Sequence, residues 1–104
     1  MSAVDVGALA DFVDGAASQV RVADRVLVLV RLGADVYVLD DRCSHEEYWL
    51  SDGEVDADAL EIECARHGSM FSLVDGAPTS LPATRPVASY DARVVDGRVT
   101  VELT

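Results

Sequence analysis

Val87-Ala-Ser-Tyr-Asp-Ala-Arg-Val-Val-Asp-Gly-Arg-Val-Thr-Val-Glu-Leu103 is the stretch that decides the fold class. Two alternating runs flank Asp96-Gly97, a dipeptide suited to the positive-φ backbone of a two-residue hairpin turn. Tyr90, Ala92 and Val94 on one arm, and Val99, Val101 and Leu103 on the other, share one apolar face. A repeat of two is the signature of a half-buried strand. The spacing therefore predicts a hairpin with arms Val87–Val95 and Arg98–Leu103.

The same pattern continues upstream. Arg25–Arg31 has no polar interruption between its arginines and reads as a buried strand. Gly33-Ala-Asp35 is a turn, and Val36–Leu39 completes a second hairpin. Val4–Val6 and Ser18–Val22 are further strand candidates, and Leu9–Phe12 is a helical turn or a loop. Glu54–Asp56 is a short extended piece. Leu60–Glu63 turns Leu60 and Ile62 inward against Glu61 and Glu63, and Met70–Leu73 follows before a turn at Asp75-Gly76. All three prolines fall within Pro78–Pro86, which is expected to be irregular. No segment of helical length has a 3.6-residue period. The expectation is an all-β fold, a small antiparallel barrel or sandwich, formed as one domain over residues 1–104.

Composition narrows the function classes. Half of the 104 residues are apolar and 26% are charged, a globular balance. The longest uniformly apolar run, Val26–Val30, is far short of the ~20 residues of a spanning helix. The first residues lack the basic and apolar regions of a signal peptide, so a cytoplasmic location is expected. Asp and Glu number 19 against eight basic residues, all Arg, for a net charge of −11. That charge repels nucleic acid and anionic membranes, and it favours a partner with a basic face.

The chain has two Cys and two His, and each Cys lies just before a His: Cys43-Ser-His45 and Cys64-Ala-Arg-His67. Placed at random, both pairings would arise on the order of a few times in a thousand. A lone Cys or His is usually a buried thiol or a satisfied core imidazole. Here that explanation must hold four times at matched spacing. Thiolates and imidazoles together suit iron in a [2Fe–2S] core. Four thiolates would leave the core a dianion, whereas two thiolates and two neutral imidazoles leave it neutral and easier to reduce. Centres of the mixed kind lie at about −150 to +300 mV, against about −400 mV for plant-type ferredoxins. Zinc is the competing metal, since Cys₂His₂ also binds it tetrahedrally. Zinc fingers usually offer two Cys together and two His together. The order Cys, His, Cys, His suits two loops that each give one thiolate and one imidazole.

Cys43-x-His45 and Cys64-x-x-His67-Gly68-Ser69, with 18 residues between His45 and Cys64, resemble the two cluster loops of Rieske proteins. Leu81-Pro-Ala-Thr-Arg-Pro86 resembles the proline loop that covers the cluster in that family. The resemblance runs from about Val20 to Leu103. It implies a Rieske-type fold with a cluster-binding subdomain, at about 41–86, made of the two loops and the proline loop. It also implies one [2Fe–2S] cluster, with Cys43 and Cys64 on an inner iron and His45 and His67 on an outer one. The two imidazoles would then be the electron port and would titrate with the cluster's redox state. Tyr48 and Arg66 stand where respiratory members have two further cysteines, and no membrane helix is present, so a respiratory role is disfavoured. Ser69 matches a position whose hydroxyl donates to a cluster sulfide, while Phe71 replaces a Tyr of high-potential members. One donor kept and one lost implies an intermediate or low Rieske potential.

The chain is small for a substrate pocket and lacks the carboxylate-plus-His set of a mononuclear iron oxygenase. The resemblance is to the soluble ferredoxins of bacterial ring-hydroxylating dioxygenase systems. These are carriers, not catalysts. They take one electron at a time from an NAD(P)H-dependent flavin reductase and give it to a terminal non-haem iron oxygenase. Transient docking near His45 and His67 is expected, by a monomer that binds neither nucleic acid nor membrane. Two alternatives stand beside this one: an accessory Rieske protein of iron–sulfur cluster assembly, and a zinc-stabilised interaction module. Trp49 and Leu50 are expected to pack beneath the first loop.

Overall fold

The computed structural model describes residues 2–42, 49–64, 68–79 and 85–103. The strands are β1 (Ser2–Ala8), β2 (Ala17–Val22), β3 (Arg25–Leu32), β4 (Asp35–Asp40), β5 (Val55–Asp56), β6 (Glu61–Glu63), β7 (Met70–Ser72), β8 (Ser89–Tyr90), β9 (Ala92–Val95) and β10 (Arg98–Leu103). Single 3-10 turns occupy Leu9–Asp11 and Leu50–Asp52. The strands form three antiparallel sheets, ordered β1-β10-β9, β2-β3-β4-β8 and β5-β6-β7. The all-β expectation holds. No helix among the described residues is long and apolar enough to cross a membrane.

The four-stranded sheet is the middle layer, and β3 shows why. Leu27 and Leu29 enter one core with Val22, Val38, Val99 and Val101. Val28 and Val30 enter a second core with Leu39, Leu50, Ile62, Cys64, Phe71, Leu73 and Val87. Both faces of β3 are therefore apolar, and the residues from 27 to 30 are almost entirely buried. Alternation would have exposed half of them on a one-sided sheet. The first core belongs to the β1-β10-β9 side, and the second supports the small β5-β6-β7 sheet.

The Asp96-Gly97 hairpin forms as read, with Val95 opposite Arg98 and positive φ at Asp96 and Gly97. Its first arm is shorter than expected. Tyr90 pairs with Val38 of β4, whereas Ala92 pairs with Val101 of β10. The chain changes sheets at Asp91, whose carbonyl accepts from Glu102 N at 2.8 Å. Alternation carries straight through such a corner, so the inward face was legible and the break was not. Leu60 also differs from its expected strand position. It sits in the turn before β6 with φ 54°, and only Ile62 points fully into the core.

Candidate metal centre

Cys64, the thiol of the second pair, lies at the mouth of the β6–β7 hairpin. Glu63 pairs with Met70, and beyond them Cys64 N donates to Ser69 O at 2.7 Å. Gly68 N then donates to Cys64 O at 2.9 Å, which closes the turn. Gly68 has φ 73°, backbone that a side chain would strain. Cys64 and Ser69 are both fully buried. Ile62, Phe71 and Leu50 share the core with Cys64.

The ends of the first loop are held just as closely. Arg42 and Trp49 form an antiparallel bridge, so residues 43–48 join two positions that already face each other. Leu50 N donates to Asp41 O at 2.5 Å, and Asp41 N to Val26 O at 3.1 Å. The Asp41 carboxylate is fully buried. It accepts from Gln19 Nε2 at 2.6 Å, Ser51 N at 2.6 Å and Ser51 Oγ at 2.7 Å. Beside it, Tyr90 OH donates to Asp40 Oδ1 at 2.7 Å. Burial, and then that bond, push the Tyr90 phenol above its ordinary range.

A third segment starts from the same hairpin. Phe71 bridges Pro78, Thr79 N donates to Met70 O at 2.7 Å, and Val87 N returns to Gly76 O at 2.9 Å. The two loop stems touch as well, because Glu63 N donates to Glu54 O at 2.8 Å. All three segments thus leave and rejoin one small sheet and the β4 edge beside it.

Among the sequence-derived site residues, Cys64 and Ser69 come together at the hairpin mouth. Cys43, His45 and His67 lie outside the described residues, as do Tyr48, Arg66 and Leu81–Thr84. Phe71 is fully buried, and Leu50 packs in the core as expected. Trp49 does not: it is 40% exposed. The bridge at Trp49 and the inward turn of Leu50 leave the indole on the outer side of the stem. Asp41 was missed as a site residue. It stands two positions beyond Leu39, so the strand period already aims it inward. The run of three charged residues Asp40-Asp41-Arg42 hides that orientation in the sequence.

Residues 2–91 match the family model described as the Rieske [2Fe-2S] domain. The chain is 34% identical over 95 residues to the 3-phenylpropionate/cinnamic acid dioxygenase ferredoxin subunit of Escherichia coli (strain K12), covering 91% of this chain and 88% of that one. It is similar in structure to the ferredoxin of carbazole 1,9a-dioxygenase from Nocardioides aromaticivorans IC177, with TM-score 0.96, 35% identity and all of both chains covered. It also matches a ferredoxin chain seen in a complex of reduced oxygenase and oxidised ferredoxin in carbazole 1,9a-dioxygenase. That match has TM-score 0.87 and 34% identity, over 95% of this chain and 100% of that one.

Proposed function

This chain belongs to the Rieske [2Fe–2S] domain family, and from that membership we propose that it is a one-electron carrier between an NAD(P)H-dependent flavin reductase and a terminal non-haem iron oxygenase. The observation that carries the reading is its likeness to a dioxygenase ferredoxin over the full length of both chains, at 35% identity. The oxygenase as recipient rests on the ferredoxin–oxygenase complex among its structural neighbours. In this reading the chain is one domain, monomeric and cytoplasmic, and it is the electron-transfer component rather than the catalyst.

The donor set fits the family's cofactor. Cys43 and Cys64 would hold one iron through sulfur, and His45 and His67 the other through imidazole nitrogen, as suits a mixed thiolate–imidazole centre. The bound cluster supplies reversible one-electron chemistry. A buried thiol at the hairpin mouth suits a ligand kept from water, with Leu50, Ile62 and Phe71 packed in the same core. Ser69, buried beside it, would donate its hydroxyl to a cluster sulfide and favour the reduced state.

Docking is proposed near His45 and His67. Between positions 41 and 86 the chain carries ten acidic residues and three arginines. A basic partner face would be drawn to that end, and the attraction would weaken with salt. The test mixes the reduced chain with terminal ring-hydroxylating oxygenases in a stopped-flow instrument and follows its reoxidation. Transfer to an oxygenase, slowing as salt rises, is the expected result. A reduced chain that no oxygenase in the panel reoxidises contradicts the reading.

A further inference from the structure

Asp41 and Ser69 are the two fully buried polar residues among those described. Ser69 belongs to the proposed cluster site, and Asp41 has no part in it so far. A carboxylate removed from water is costly unless it is well bonded. Asp41 is bonded on both oxygens. Ser51 N reaches Oδ1, while Gln19 Nε2 and Ser51 Oγ reach Oδ2. One side chain thus ties β2, through Gln19, to the start of the first loop at Asp41 and to its far end at Ser51. The backbone of Asp41 adds bonds to Val26 and Leu50.

Its partners are neutral. An amide, a backbone N–H and a hydroxyl spread the carboxylate's charge without cancelling it. Cys43 is two residues on, so its Cα is at most about 7.6 Å from that of Asp41. A carboxylate charge held in the interior, where Asp41 is fully buried, disfavours adding an electron to a group near it.

Resting on the carrier reading above, we propose that Asp41 is a positioning residue with two effects. Through Gln19 and Ser51 it clasps the two ends of the loop that bears Cys43 and His45. Through its buried charge it holds the reduction potential down, because reduction adds a further negative charge beside it.

Two variants with opposite expected signs test this on the iron-loaded protein, by protein-film voltammetry and EPR. Asp41→Asn removes the charge at nearly constant size. It should shift the reduction equilibrium toward the reduced state about tenfold, which is about 59 mV for one electron. Ser51→Ala keeps the charge and removes one donor that offsets it. It should shift the equilibrium about twofold to fivefold the other way, the scale of one hydrogen bond. It should also speed hydrogen exchange at the Leu50 and Ser51 amides. A merely structural loosening would move both potentials in the same direction. Potentials unchanged in both variants, or moved together, overturn the proposal. If Asp41→Asn does not load iron, Ser51→Ala decides alone, and unchanged potential and exchange refute the proposal. A parent protein without a [2Fe–2S] signal would instead refute the carrier reading, so the two failures are distinguishable.

Discussion

The backbone of Gly53 lies against the carbonyl of Glu63, so close that a Cβ on Gly53 would stand 1.6 Å from that oxygen and 2.8 Å from its carbon. Both are backbone atoms, one residue before Cys64, and neither can swing aside. Gly53→Ala must therefore push the end of the first loop away from β6. The expected cost is at least the about 1–3 kcal/mol of an overpacked core. Guanidinium unfolding and iron per chain measure it, and a variant that melts and loads like the parent would contradict the close approach.

Hydrogen bonds to cluster sulfur raise the potential. Ser69→Ala should lower it by about 20–60 mV, which is one hydrogen bond of about 0.5–1.5 kcal/mol on a one-electron couple. Phe71→Tyr should raise it by a similar amount, because a hydroxyl on this fully buried ring needs an acceptor. Voltammetry at constant pH checks both. Unmoved potentials would place the Ser69 hydroxyl and the Phe71 ring edge away from the sulfides.

Leu29 and Leu50 lie in different cores, with the β2-β3-β4-β8 sheet between them. Truncating either to Ala should cost about 2–5 kcal/mol. Only Leu50→Ala, in the core that also holds Cys64, should speed loss of the visible cluster absorbance under native conditions. Equal bleaching rates in the two variants would mean that the cores are not independent supports.

Arg98 forks onto Asp5, with Nε to Oδ2 at 3.0 Å and Nη2 to Oδ1 at 2.9 Å, and this ties β10 to β1. The Arg98 bond, then the Gly7 N–H, lower the Asp5 carboxyl below its ordinary 3.8. A lowered carboxyl contributes stability that is complete above its unfolded value and lost as pH falls through the lowered one. Both side chains are about half exposed, so the contribution is small. Arg98→Ala should melt slightly below the parent at pH 7, and the gap should close below about pH 4. A gap that persists in acid would show that the arginine acts through packing instead.

Much of this was legible in the residues. Alternating or unbroken apolar runs located β2, β3, β4 and β10 to within one or two positions, because each has at least one face that must be buried. The Cys-x-His and Cys-x-x-His pairs pointed to the chemistry, since few purposes need sulfur beside imidazole twice. Other features depend on partners distant in sequence. The sheet change at Asp91 is set by which strand lies opposite. The outward turn of Trp49 follows from its bridge to Arg42. Asp41 is recognisable as a clasp only when Gln19, 22 residues away, is seen on its carboxylate.

Mixed thiolate–imidazole ligation of a [2Fe–2S] cluster underlies the proposed electron transfer. Its most direct test is an anaerobic EPR spectrum of the dithionite-reduced protein, with iron and zinc assayed on the same sample. The expected result is about two irons per chain and a spin-half signal with an average g of about 1.9, lower than all-cysteine [2Fe–2S] centres give. A silent sample with one zinc per chain and no iron, even after reconstitution with iron and sulfide, would contradict it and leave a structural metal site.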